Sequence, residues 1–197
     1  MHQLRGAFEA GEALAVRALA RARSPRVCGI LLQNRAAMAA QRLDFGSAER
    51  LFAESVAAFQ EAGYELGMAI ALNNASAAAR DAGNPERAVE FALQAAEIAR
   101  RVGALDMLLL AEENQAHALV KLGLPDEAES CIIQALGYFG GTRNDLRRAE
   151  CLEIIGMVNE LRPEGHIEAI RCYELARSLA EQVGASVLSE RLTRRLA

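Results

Sequence analysis

Apolar positions along this chain fall at helical spacing, and the helical blocks themselves recur. Leu14, Ala15, Ala18, Leu19 and Ala22 share one side of a helix predicted over 4–22. Ser24-Pro25 stops that segment, with Ser24 expected to cap the next helix and Pro25 to occupy its first position. From Arg26 the pattern predicts pairs of helices. The first helices run over 26–42, 65–82, 105–122 and 143–161, and the second helices over 46–62, 85–102, 125–139 and 166–183. Gly83-Asn84-Pro85 and Gly123-Leu124-Pro125 join them with a glycine past one helix and a proline opening the next. Asp44-Phe45-Gly46 and Arg162-Pro163-Glu164-Gly165 do the same less regularly. The last segment sets Val187, Leu188, Leu192 and Leu196 against Glu190, Arg191, Arg194 and Arg195, the pattern of a helix with one polar side.

Shifting the sequence by forty residues superimposes it on itself. Asn34, Asn74 and Asn114 form one row, and Ala36, Ser76, Ala116 and Gly156 a second. A third row, Ala48, Ala88, Ala128 and Ala169, has one residue inserted before its last member. In the second helices each of these alanines is followed four and seven positions later by a residue on the same face. The triplets are Ala48, Phe52, Ser55; Ala88, Ala92, Ala95; Ala128, Ile132, Ala135; and Ala169, Tyr173, Ala176. Small first and third members let paired helices approach closely, and the middle residue fills the gap. The chain is therefore a repeat protein, all-α, and is expected to be one domain over 1–197. Its parts are a partial leading repeat over 1–24, repeats over 25–63, 64–103, 104–141 and 142–184, and a capping helix over 185–197 that closes an otherwise apolar end.

Composition supports this and removes other classes. Hydrophobic residues make up 52% of the chain and aromatic residues only 5%, without tryptophan, so the core relies on close helix contact rather than large rings. The 22 basic and 26 acidic residues are interspersed, giving a net charge of -4 and no basic field for direct nucleic-acid binding. No apolar run reaches membrane-spanning length, and Met1-His2-Gln3-Leu4-Arg5 lacks the apolar core of a signal peptide, which points to the cytoplasm and away from a membrane. Cys28, Cys131, Cys151 and Cys172 show no C-x-x-C spacing and read as small core residues; no metal or cofactor is expected. Nucleophile-elbow, P-loop, H-E-x-x-H and dinucleotide fingerprints are absent, so the chain is not expected to be an enzyme. Glu113 and His117 share a helix face, but a third ligand or catalytic partner is missing. His166 falls in a turn and His2 at the terminus.

A small residue twelve positions before an alanine, with further positions four and seven beyond it, resembles the tetratricopeptide repeat. The usual unit has about thirty-four residues; these units of about forty resemble the longer-helix variant of kinesin light chains and of many bacterial regulators. The resemblance covers 26–184. It departs from the consensus in its first-helix aromatics, where Leu32, Leu72, Glu112 and Leu152 stand instead, and in lacking the terminal proline.

That resemblance implies a right-handed α-solenoid of antiparallel hairpins whose first helices line a concave groove for an extended peptide or partner helix. Carried onto this sequence, the groove residues are Gln33, Asn34 and Gln41; Asn73, Asn74 and Arg80; Glu113, Asn114, His117 and Lys121; and Glu153. Ala71-Leu72-Asn73-Asn74-Ala75 resembles the kinesin-light-chain stretch whose asparagines contact peptide backbone. The chemistry is apt, because an amide offers both an acceptor and a donor to a peptide group whatever its side chain. Arg80 and Lys121 are too few, against Asp81, Glu113, Glu153 and Glu160, for a carboxylate clamp. The acidic later half instead favours a ligand carrying positive charge at that end. Two alternatives stand beside this one. The chain is a sensor or assembly region of a larger bacterial signalling or transcription-regulating protein, or it is a self-association module forming a homo-oligomer.

Overall fold

The computed structural model describes residues 2–197 except Arg143, with the side chains of residues 2–9 outside that description. The side chains of His2 and Leu4, and the expected helix start at Arg143, therefore lie outside the described residues. The described chain is helical throughout: α1 His2–Leu19, α2 Pro25–Gln41, α3 Phe45–Glu61, α4 Glu65–Asp81, α5 Pro85–Arg101, α6 Leu105–Lys121, α7 Pro125–Gly141, α8 Asp145–Glu160, α9 His166–Gln182 and α10 Ser186–Arg195. The paired helices expected from 26 onward are found, each end within two residues of its expected place. The first helix ends at Leu19, short of the expected Ala22.

Helix starts at 25, 45, 65, 85, 105, 125 and 145 reveal a spacing of twenty, half the period visible in the side chains. Its cause is one connector used both within hairpins and between them. In the short turns 42–44, 62–64, 82–84, 102–104, 122–124 and 183–185 the middle residue is left-handed, Leu43 in the first and Gly63, Gly83, Gly103, Gly123 and Gly184 in the others. Around Gly83, the residue's own N–H reaches Arg80 O at 3.0 Å and the following Asn84 N–H reaches Ala79 O at 2.9 Å, a Schellman-type ending that satisfies the last carbonyls. Asn84 and Asn144 then accept the N–H of Arg87 and Arg147, each at 3.2 Å, to start the next helix. Asp44 does the same for Ser47 at 3.1 Å, and these bonds hold its carboxyl below the usual range. Ser24 departs from expectation: its hydroxyl makes no cap bond, and α2 starts on Pro25 alone. The inserted residue of the last repeat is absorbed in the longer turn 161–165, where Gly165 is needed because a Cβ there would collide with the Asn159 backbone.

The chain divides into two compact units, residues 1–111 and 112–197. In the first, helices α1 to α5 pack in order, and α2 also meets α4. Leu32, Ala36, Ala48, Leu51, Phe52, Ala75 and Ala78 form one buried cluster. Ala69, Leu72, Ala95, Ala96, Ile98, Ala99, Met107 and Ala111 form another, and Phe91 packs against both. Two buried hydroxyls lock the hairpins: Ser55 donates to Gly29 O and Ser76 to Ala88 O, each at 2.8 Å. In the second unit α7, α8, α9 and α10 pack in sequence, and Tyr173 lies against Gly156, whose missing Cβ makes room for the ring.

Ala88 is fully buried and its carbonyl already accepts Ser76, so Ala88→Leu overpacks the α4–α5 contact and costs about 1–3 kcal/mol, read as a lower denaturation midpoint. Leu43 holds the left-handed turn position at φ 63° with its side chain 74% exposed. Leu43→Gly relieves about 1–2 kcal/mol of strain and returns about 0.4–1 kcal/mol as added unfolded-state entropy. A midpoint that rises modestly is the expected result, and a fall would show that the Leu43 side chain stabilises the turn.

Candidate peptide-binding face

The expected binding residues occupy the first helix of each pair, and each unit carries its own set. In the first unit α2 presents Gln33 half-buried and Asn34 and Gln41 exposed, while α4 presents Asn73, Asn74 and Arg80, all half-buried. Because α2 and α4 are in contact, their amide groups belong to neighbouring helices. Arg80 donates Nε–H and Nη2–H to Asp81 Oδ1 at 3.0 and 2.9 Å, so part of its charge is spent locally.

In the second unit the C-terminal part of α6 carries Glu113, Asn114 and His117, half-buried, and the exposed Lys121. The third asparagine thus lies in a different unit from the first two. Glu113 has a side chain only 12% exposed and pairs with Arg147 of α8 at 3.7 Å, while Arg147 donates to Glu150 at 2.9 Å. Glu153, forty residues beyond Glu113, is more deeply committed, its side chain 3% exposed. Arg191 of α10 donates Nε–H to its Oε1 at 2.8 Å and Nη2–H to its Oε2 at 2.5 Å, a bidentate pair, and Arg195 adds a contact at 3.4 Å. Arg195 also reaches Glu160 at 3.3 Å and the Tyr173 hydroxyl at 3.4 Å.

These pairings change the electrostatic expectation. The acids that suggest a positively charged ligand already face arginines of the same chain. Repeat register alone puts them on the groove, because it fixes the face of a helix and not the neighbour that covers it. The available signal was charge complementarity at one repeat less two residues, as in Glu153 with Arg191 and Glu49 with Arg87. Also unanticipated were Arg26 stacked 3.9 Å from the Tyr64 ring and Arg87 4.3 Å from the Phe91 ring.

Among the described residues no three His, Cys, Asp or Glu side chains cluster as a metal site. Burial pushes the thiols of Cys131, Cys151 and Cys172 above their ordinary range, so the nucleophilic thiolate is scarce at neutral pH. Among the described residues no helix is long and apolar enough to cross a membrane. An open crevice of about 340 Å³ lies beside α10, lined by residues that include Leu146, Glu150, Val187 and Arg191. Smaller ones of about 140 and 120 Å³ lie near Arg42 and Phe91.

Neither a protein-family model nor a curated protein matches this chain. Solved structures do. A single-substitution variant of a proposed kinesin light chain from Podosopora anserina, with nearly identical TPR-like repeats, is 16% identical, with TM-score 0.70 over 93% of this chain and 90% of that one. Another structure of those repeats is 17% identical, with TM-score 0.68 over 92% and 89%. BtubC (BKLC) from P. vanneervenii is 17% identical, with TM-score 0.66 over 96% and 89%. The likeness shows the fold: an all-helical solenoid of TPR-like repeats, as the sequence resemblance implied. Such a fold is in general a protein-interaction scaffold, and fold alone names no partner.

Of the four cysteines expected in the core, Cys151 and Cys172 are buried and Cys28 and Cys131 only half-buried, and the burial of Cys151 is open to a direct test. Brief iodoacetamide treatment of the native chain at pH 8 is expected to leave Cys151 unmodified by mass spectrometry, with full reaction after denaturation. Rapid native labelling of Cys151 would contradict its buried, poorly ionised state.

Proposed function

We propose that this chain is a non-catalytic scaffold that holds a peptide or protein partner on the faces that the first helices present in each unit. In the first unit Asn34, Asn73 and Asn74 grip the partner's backbone, bordered by Gln33, Gln41 and Arg80; in the second unit Asn114 does so, bordered by His117 and Lys121. The observation that carries this reading is the asparagine row. Asparagine competes with its own backbone for hydrogen bonds and is a poor choice inside a helix, yet it recurs in mid-helix on α2, α4 and α6 at a forty-residue period. Asn34 is exposed and Asn74 and Asn114 are half-buried, so part of each remains within reach of a partner. Alternating donors and acceptors at that spacing suit an extended backbone rather than one particular side chain. Glu113 and Glu153 contribute differently, through the arginines that pair with them, and the ligand's side-chain preference is set elsewhere on the face.

The test replaces Asn34, Asn74 and Asn114 together by alanine. A lost bond is worth about 0.5–1.5 kcal/mol, so affinity for a captured partner should fall at least about tenfold while the helical circular dichroism stays unchanged. Equal affinity of variant and wild type would remove the asparagines from the site.

A further inference from the structure

Helix α10 meets the second unit in a way that a plain end cap does not require. Leu188, Arg191, Leu192 and Arg195 fall on one face, at offsets of three, four and seven residues. Leu188 and Leu192 are the helix's two buried side chains, whereas α8 buries eight residues and α9 six. Between them the two arginines contact Glu153, Glu160 and Tyr173. To close an apolar end, leucine at position 153 would be simpler, because a buried ion pair repays its desolvation only when its geometry is very good. Glu153 instead places a carboxylate among the buried residues Leu152, Ile154 and Met157, where an arginine must answer it. The feature specifies which helix lies there. Apart from that pairing α10 is held by little: it has ten residues and buries only Leu188 and Leu192, fewer than either α8 or α9.

We propose that the surface of α8 and α9 beneath α10 is a docking site for an amphipathic helix of a partner protein with Leu-x-x-Arg-Leu-x-x-Arg spacing. Helix α10 is its resident occupant, displaced when the partner binds. This rests on the scaffold reading above and supplies a partner class that the asparagine row cannot. Charge complementarity selects the occupant: once α10 leaves, Glu153 meets solvent, and a helix that covers it again without a guanidinium at that register would bury the carboxylate unpaired.

The probe is a fluorescent synthetic peptide with the sequence of residues 185–197, titrated into the full-length chain. In the wild type the peptide must compete with α10. In the R191Q/R195Q variant the internal helix is weakened, and binding is expected to tighten at least tenfold. Adding Glu153→Gln to that variant should weaken it at least tenfold again. Equal binding by wild type and R191Q/R195Q, or indifference to Glu153→Gln, would overturn the proposal. Hydrogen exchange on the wild type guards against misfolded variants: amides of 186–195 should exchange at least tenfold faster than those of α9, and equal protection would mean that α10 does not leave. A wild-type dimer that exchanges α10 between copies, detected by light scattering and crosslinking, would assign the surface to a second copy instead and equally overturn it. The readout depends on Glu153 and not on the asparagines, so this proposal and the asparagine reading can fail separately.

Discussion

Where Ala36 and Ala48 sit in one buried cluster, and where Ser76 reaches the carbonyl of Ala88, two helices approach so closely that only small side chains fit between them. Other features accommodate that approach. In three of the four triplets the middle place holds a larger residue, Phe52, Ile132 or Tyr173, each buried between two small ones, and in the other it holds Ala92. Where that residue is the bulkiest, Tyr173, the facing member of the small row shrinks to Gly156. The hydroxyls of Ser55 and Ser76 are tolerated in this setting because each finds a carbonyl on the partner helix, so neither is a buried orphan.

A second constraint works along the chain. Helices near seventeen residues long, joined by a turn with one left-handed residue, return the backbone to an equivalent position every twenty residues. The equivalence brings acids and arginines one repeat apart into reach. Pairs such as Arg87 with Glu49 and Arg101 with Glu65 are largely exposed and contribute little to stability. Glu153 is different in kind. Its burial makes the arginine obligatory, so the same interaction that is ornamental elsewhere becomes a condition on what may cover α8.

The two proposed sites, at the asparagines and at Glu153, therefore pose different recognition problems. In the proposed reading, amides that reach solvent would read a backbone and accept many sequences. A buried carboxylate flanked by apolar residues reads one charge at one register. A scaffold with both can combine broad grip with a selective end, and the two need not be occupied by the same segment of a partner.

Much of the fold was written in local chemistry. Apolar spacing predicted the paired helices from 26 onward, glycine and proline marked two of the turns, and the rows of small residues announced close hairpins, because helix periodicity and turn chemistry act within a few residues of themselves. Tertiary structure decided the rest. It put Leu43 into a left-handed turn that its sequence does not advertise, since the flanking helices impose the conformation. It left Ser24 without its cap bond. It gave the Ser76 hydroxyl a carbonyl to donate to, that of Ala88, at a position where the row of small residues asks only for smallness. Above all it covered Glu153. A repeat register states which face of α8 that carboxylate occupies, but only the packing of a helix nearly forty residues later determines whether the face meets solvent or an arginine.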